Sequence, residues 1–285
     1  MKRPFAIFFF SFFLVHALVA GNSLEVNTSV DYFRGLPTGS WNGNHGALVA
    51  ANAGYSLTEC LDAQFGGSYG VYNWDGRGNL VFENPKETEQ VGFLTGGASY
   101  LYGDWTAGLT YDRMYTKNFG IYALSPVIDQ IRFQFGYTRF CEEFGLWGTT
   151  SVNTSYETAL GIPTNFKAIG QLNLFWRHQF DNCTHTKLWI GMPYQDSLMF
   201  PGERAGNVIL GFSFRVPLCG QVFIDGNGSY MAARKAPGVV QSRNYGFNMC
   251  LGLTYCFDNG NWCYSTPYMS IANHSNFFVD TNINQ

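Results

Sequence analysis

Residues 245–257 read YGFNMCLGLTYCF, and every second residue of this stretch is aromatic or aliphatic. The residues between them are small or polar. Because the side chains of a β-strand point to opposite faces in turn, this alternation predicts a strand with one apolar and one mainly polar face. A tilted strand of about ten residues crosses the hydrocarbon layer of a bilayer, so this stretch is long enough to span a membrane.

The same alternation recurs along the whole chain, whereas no segment has the 3.6-residue periodicity of an amphipathic helix. It predicts twelve strands, near residues 24–34, 46–57, 60–73, 91–103, 105–116, 128–139, 143–153, 169–180, 186–194, 207–217, 220–232 and 245–257.

The connections between these strands alternate in length. Tight turns, such as the one at Gly103 and Asp104, alternate with long loops, such as 74–90 and 117–127. In outer-membrane barrels one rim carries short periplasmic turns and the other carries long external loops. The sequence therefore predicts an all-β protein of the bacterial outer membrane. The fold is a transmembrane antiparallel up-and-down β-barrel of 12 strands, or of 14 if the C-terminal region adds a hairpin.

The composition argues against a soluble protein. Charged residues make up 13% of the chain and aromatic residues 18%, whereas a soluble domain has about 25% charged residues. A soluble β-sandwich or lipocalin-like barrel needs a charged outer face, which this chain has too few charges to provide. The net charge of −3 offers no basic surface to a nucleic acid, so we expect membrane lipid as a partner and no nucleic acid.

The first twenty residues have the pattern of a secretory signal peptide. Lys2 and Arg3 precede an almost unbroken apolar run over 5–15, and Ala20 is a small residue suited to cleavage. We therefore divide the chain into a signal peptide (1–20), a transmembrane β-barrel (21–257) and a C-terminal region (258–285). This last region is mostly polar, and the alternatives for it are a periplasmic tail, a plug or an extra hairpin.

Charged residues of both signs fall on the predicted inward faces of the strands. On opposing walls of a water-filled lumen they would create a transverse field that selects solutes. As interior salt bridges they would instead close the barrel. The predicted lumen-lining residues are Glu25, Asp31, Asp62, Asp112, Arg132, Arg177, Lys187, Arg215 and Asp225.

No catalytic pattern is found in the sequence. The phospholipase type of outer-membrane barrel needs a serine and a histidine two residues apart on one strand. Here His178 is followed by Gln179 and Phe180, and His274 directly precedes Ser275. The scattered cysteines and histidines also lack the spacing of a zinc site. We therefore predict a protein that is not an enzyme and that has no metal and no cofactor.

The chain has seven cysteines, of which Cys250 falls in the middle of a predicted strand. The other six fall in or beside tight turns, at the end of the last strand or just beyond it: Cys60, Cys141, Cys183, Cys219, Cys256 and Cys263. They therefore cluster at one predicted rim, where neighbouring turns meet disulfide geometry more readily than opposite ends of a barrel do. We predict disulfides among these six, either within the chain or to other envelope proteins.

The leader, the alternating hairpins and the low charge resemble those of bacterial outer-membrane β-barrel proteins, across nearly the whole chain. The cysteine content resembles that of the disulfide-cross-linked outer-membrane barrels of chlamydia-like bacteria. This second resemblance implies a porin-like or structural role, with disulfide-linked envelope proteins as partners.

Three functions follow as hypotheses. The first is a porin-like channel for the passive diffusion of small hydrophilic solutes. The second is a structural or adhesive, disulfide-linked envelope protein with a closed lumen. The third is a lipid-modifying barrel enzyme.

Overall fold

The structure, a computed structural model, describes residues 23–38, 43–74, 88–234, 245–257 and 268–282. The predicted signal peptide lies outside these ranges. The elements are β1 (Ser23–Arg34), a 3-10 helix (Leu36–Thr38), β2 (Asn44–Ser56), β3 (Leu61–Tyr72), β4 (Glu89–Tyr102), β5 (Trp105–Lys117), β6 (Val127–Arg139), β7 (Glu142–Ser151), β8 (Thr154–Ala159), β9 (Ile162–Ala168), β10 (Gln171–Gln179), β11 (His185–Pro193), β12 (Ile209–Cys219), β13 (Val222–Met231), β14 (Gly246–Cys256) and β15 (Val279–Thr281). The described part of the chain contains no helix that is long and apolar enough to span a membrane.

Twelve strands form a closed antiparallel barrel, which confirms the predicted fold class and strand number. The strands β1 to β7 and β10 to β14 follow one another around it. The barrel closes where β14 pairs with β1, in a register that sets Glu25 opposite Cys256 and Arg34 opposite Phe247. Closure leaves no sheet edge, so the backbone groups of all spanning strands can pair within the barrel wall. Among the described residues no further strand joins the barrel.

The outer surface of the barrel is apolar, and the inner face carries most of the polar side chains. The outward residues Val30, Leu174 and Ile190 are each more than half exposed. The inward residues Asp112 and Gln130 are fully buried. This distribution is the reverse of that in a soluble barrel and matches a surface that contacts lipid.

The two ends of the barrel differ. We call the end at which β2 joins β3, and β4 joins β5, the short-turn rim, and the opposite end the long-loop rim. Exposed aromatic side chains mark both ends, for example Tyr102 and Trp105 at the short-turn rim and Trp74 and Tyr194 at the long-loop rim. Such aromatic girdles lie at the two membrane interfaces of outer-membrane barrels.

A small second sheet lies at the long-loop rim, where the sequence predicted only a loop over 154–168. The strands β8 and β9 form a hairpin, and β15 from the C-terminal region adds to β9. The strands β8 and β9 have six and seven residues, and Pro163 lies within β9. A short strand with an internal proline gives a weak periodic signal, so the sequence pattern does not reveal it.

The apolar core lies inside the barrel, in the half near the long-loop rim. It consists of two clusters of buried side chains, contributed by the barrel wall, by the loops between strands and by the C-terminal region. The first contains Phe33, Tyr72, Val91, Phe93, Met114, Phe119, Ile128, Phe166, Ala168, Ala272, Phe277 and Val279. The second contains Leu36, Trp147, Ile169, Phe175, Trp189, Ala205, Ile209, Met231 and Phe278.

Candidate functional site

Residues 268–282, which we call the C-terminal segment, run through the barrel from the short-turn rim to the long-loop rim. Near the short-turn rim, the Tyr268 hydroxyl donates a hydrogen bond of 2.6 Å to Glu143 Oε1. About halfway through the barrel, Arg132 Nη2 donates a hydrogen bond of 2.7 Å to the carbonyl oxygen of Ser270. At the far end, Val279–Thr281 pair with β9. The segment therefore occupies the lumen along most of its length.

His274 anchors the segment in the half of the lumen near the long-loop rim. Its Nδ1 lies 2.8 Å from Asp31 Oδ2, and its ring stacks on Phe33 with 3.7 Å between ring centroids. The Asp31 carboxylate also accepts hydrogen bonds from the Tyr72 hydroxyl (2.8 Å) and from the Asn248 amide (2.9 Å). A buried carboxylate with this many partners holds a fixed position, so Asp31 ties the segment to the barrel wall.

Glycines on the inner wall make room for the segment. A side-chain Cβ added to any of four inward glycines would come too close to an atom of the segment. The distances are 2.6 Å from Gly66 to Ile271 Cγ2, 2.4 Å from Gly108 to Met269 Sδ, 2.7 Å from Gly136 to Tyr268 Oη and 2.9 Å from Gly246 to Phe278 Cε1. At Gly108 the three atoms nearest to an added Cβ all belong to the segment, so a side chain at this position would clash first with the segment.

A cavity of about 510 Å³ remains beside the segment. Eight of the nine predicted lumen-lining residues line it: Glu25, Asp31, Asp62, Arg132, Arg177, Lys187, Arg215 and Asp225. The ninth, Asp112, also faces inward but does not reach the cavity, because Arg132, Gln130 and Thr95 enclose its carboxylate.

Asp112 and Arg132 form a buried ion pair in the barrel wall. Arg132 Nε and Nη2 lie 3.0 and 3.1 Å from the two carboxylate oxygens of Asp112. Both side chains are almost fully buried. The same guanidinium donates to Ser270, so the ion pair also helps to position the C-terminal segment.

A second group of charges lies closer to the short-turn rim. Arg215 is shared by two acids: its Nη1 lies 2.6 Å from Glu25 Oε1, and its Nε lies 2.8 Å from Asp225 Oδ1. Asp62 accepts a hydrogen bond of 2.6 Å from the Ser56 hydroxyl. Two carboxylates on one guanidinium leave this part of the lumen with an excess of negative charge.

Arg177 and Lys187 lie opposite each other on β10 and β11. Arg177 forms an ion pair with Glu143. The Lys187 ammonium donates a hydrogen bond of 2.7 Å to Gln134 Oε1 and lies 4.3 Å from the centre of the Phe175 ring.

Sequence reasoning missed the residues that the C-terminal segment brings into the lumen, among them Tyr268, Ser270 and His274. Their partners are more than a hundred positions away along the chain. The segment also has no regular spacing, because its residues contact several different wall strands in turn. A trace of it in the sequence is the set of inward glycines on β3, β5, β6 and β14, where an added Cβ would clash with the segment.

The predicted cysteine cross-links are wrong for four of the six residues, as far as bonds within the chain are concerned. Cys60, Cys141 and Cys219 are exposed free thiols, and Cys256 is a buried free thiol. Cys183 is disulfide-bonded, and Cys263 lies outside the described residues. Adjacent hairpin turns are two strands apart, about 10 Å, which exceeds the Cα separation of about 7 Å that a disulfide tolerates.

The cysteines, histidines and acids offer no metal centre: within the described ranges, no three or more of these side chains are grouped so that they could hold a metal ion. The two histidines considered for catalysis contact carboxylates. His178 Nδ1 lies 2.8 Å from Glu142 Oε1, and His274 Nδ1 lies 2.8 Å from Asp31 Oδ2.

A closed antiparallel barrel with an apolar exterior, two aromatic girdles and a polar inner face is an outer-membrane β-barrel protein, and its location is the bacterial outer membrane. Within this class the chain belongs to a family of unknown function, DUF6666, whose model matches residues 17–279. No curated protein matches the chain.

Solved structures share the fold at low sequence identity. An outer membrane channel from Pseudomonas putida F1 is 12% identical, with a TM-score of 0.56 over 84% of this chain and 96% of that one. A structure from a study of the in-meso crystallization of membrane proteins is 11% identical, with a TM-score of 0.51 over 91% of this chain and 99% of that one. The Pseudomonas putida toluene transporter TodX is less similar, with a TM-score of 0.43 at 11% identity over 83% of this chain and 89% of that one. None of these relatives supports the resemblance to barrels of chlamydia-like bacteria.

Proposed function

We propose that the protein is a porin-like outer-membrane channel for the passive diffusion of small hydrophilic solutes, and that its C-terminal segment is a plug. The observation that carries this proposal is a charged cavity of about 510 Å³ beside a segment of the chain's own C-terminal region. Charged side chains of both signs line the cavity together with neutral amide side chains, as is usual for pores that select hydrophilic solutes. An inert barrel would need no such cavity.

The plug proposal rests on where the segment lies. In the half near the long-loop rim, Phe277 and Phe278 of the segment pack into the two apolar clusters that fill the lumen. A hydrophilic solute passes this half only if these side chains move. Conduction therefore requires the segment to leave its docked position, as lids and gating segments do in other proteins.

The barrel wall can persist when the segment moves. The twelve-stranded barrel closes through the pairing of β14 with β1, and β14 ends before the segment begins. Within the described ranges the strand that pairs with the segment is β9, which belongs to the small sheet and not to the wall. Displacing the segment therefore breaks its contacts in the lumen and its pairing with β9, and leaves the strand pairing of the wall unchanged.

Liposome swelling tests this proposal. The full chain and a chain ending at residue 267 are reconstituted, and the influx of arabinose is compared with that of the larger sugar stachyose. We expect the shortened chain to admit arabinose much faster than the full chain does, and to exclude stachyose. A shortened chain that is folded, as shown by its heat-dependent migration in electrophoresis, and that admits no arabinose would disprove the channel.

The second candidate function is a structural envelope protein with a closed lumen. The observation that favours it is the set of three exposed free thiols, Cys60, Cys141 and Cys219, at the short-turn rim. Exposed thiols on one rim can form disulfides with other envelope proteins in an oxidising compartment. Non-reducing electrophoresis of native envelopes tests this function: it predicts high-molecular-weight species that reductant removes, together with no solute influx in either form of the chain.

A further inference from the structure

We propose that the cavity contains a binding site for small organic carboxylates, centred on Lys187. The proposal rests on the channel function, because it names the class of solute that the channel prefers. Lys187 lies on the inner face of β11 and lines the cavity together with Arg177 and Arg132. Three cationic side chains therefore face the cavity from neighbouring parts of one wall.

Lys187 is the cation that the wall does not neutralise. Arg177 is paired with Glu143, and Arg132 is paired with Asp112. The Lys187 ammonium contacts the neutral Gln134, and among the described residues no carboxylate lies within salt-bridge distance of it. The Lys187 amine is therefore available to a solute carboxylate.

The register also places Lys187 beside a second cationic side chain. Lys187 lies directly opposite Arg177 in the β10–β11 pair. Like charges in this position destabilise a sheet. Glu143 compensates Arg177, so the two cations share one carboxylate of the wall, and an unmatched charge of this kind is often found at a functional site. An anionic solute between the two side chains would supply the missing negative charge.

The surroundings of Lys187 favour an organic anion over an inorganic one. Its ammonium lies over the face of Phe175, and Trp147 and Trp189, whose ring centroids are 5.8 Å apart, line the same cavity. These aromatic faces can cover a short hydrocarbon body while the ammonium binds the carboxylate. Ligand pockets typically combine a mostly apolar wall with a few polar groups in this way.

Apart from Glu143 and Asp112, which Arg177 and Arg132 neutralise, the acidic groups of the lumen lie elsewhere and reinforce this preference. Glu25 and Asp225 share Arg215 on β12, closer to the short-turn rim. Their excess negative charge repels an anion, so the wall that carries Lys187 is the favourable place for it. Asp31 is engaged by His274 and by the side chains of β3 and β14.

Tryptophan fluorescence of the purified full chain tests the site, because Trp147 and Trp189 lie beside it. The probe is sodium butyrate, with butyramide as its uncharged analogue and sodium chloride at matched ionic strength. Lys187→Met removes the charge, Lys187→Arg keeps it, and Lys117→Met removes an equal charge from an exposed position at the end of β5. Heat-dependent migration in electrophoresis verifies that each variant is folded.

We expect a saturable change with butyrate alone. Its dissociation constant rises about tenfold or more in Lys187→Met, as for the loss of one hydrogen bond to a charged group. It stays close to the wild-type value in Lys187→Arg and in Lys117→Met. An equal response to chloride or butyramide, or equal binding by Lys187→Met, would overturn the site. Binding is measured without transport, so a protein that binds butyrate but admits no solute would refute the channel and leave the site standing.

Discussion

Replacing Gly108 by valine should expel the C-terminal segment without altering the barrel wall. A Cβ at this position lies 2.4 Å from Met269 Sδ, 2.8 Å from Met269 Cγ and 3.3 Å from a ring carbon of Tyr268. No atom of the wall is among these three nearest neighbours. The substitution therefore acts on the contact between wall and segment.

The magnitude follows from the depth of the overlap. Non-bonded carbon atoms pack at about 3.5–4.0 Å, so Met269 must retreat by more than 1 Å, roughly, to accept even the Cβ. Met269 is itself only 2% exposed. Overpacking of this kind costs about 1–3 kcal/mol, which lowers the ratio of docked to released segment by about 5- to 150-fold.

Hydrogen exchange read by mass spectrometry measures the effect. The amide of Ala272 donates to Thr95 Oγ1 over 2.8 Å in the docked segment, so its exchange reports release. Gly96→Val is the matched control, because Gly96 faces outward on β4 and an added Cβ meets nothing closer than 3.8 Å. Faster exchange over 268–282 in Gly108→Val alone is expected. Unchanged exchange in a folded Gly108→Val protein would refute the reasoning.

Three further predictions concern single side chains. Arg132→Met leaves Asp112 buried without its cation, so the free energy of unfolding in denaturant titrations should fall by about 3–5 kcal/mol; a neutral result would show that the pair contributes nothing. Burial and Glu143 raise the pKa of the Tyr268 hydroxyl, so its contribution is complete below the ordinary pKa of about 10 and is lost only as the pH rises through the raised value. Tyr268→Phe should therefore speed exchange of the segment equally at about pH 6 and about pH 9, and a pH-dependent difference would count against this hydrogen bond. Maleimide should label the three exposed rim thiols of the folded protein and spare Cys256 until unfolding, as read by mass spectrometry; early labelling of Cys256 would contradict its burial.

The barrel could be predicted from the sequence because its signal is local. In β6, outward Phe133 and Phe135 alternate with inward Arg132 and Gln134, and the pleat of a strand makes that alternation visible within a few residues. The turns follow the same logic, since a connection of two residues can only join neighbouring antiparallel strands. The predicted boundaries differ from the observed ones by a few residues at strand ends.

The contents of the lumen could not be predicted in the same way. Asp31 meets His274 across 243 positions of the chain, and nothing in either neighbourhood indicates the other. Inward apolar residues were missed as well: Phe33, near the end of β1, is buried in the lumen against His274. Because the inward face was assumed to be polar, the apolar residues on it that contact the C-terminal segment were not recognised.

The most direct test of the plug is the conductance of planar bilayers that contain the chain ending at residue 267. A synthetic peptide of residues 268–285 is then added to one side at a time. We predict a steady conductance larger than that of the full chain, which the peptide reduces when it is added on the side of the short-turn rim. A conductance equal to that of the full chain, with no effect of the peptide from either side, would contradict the assignment of the C-terminal segment as the plug of this channel.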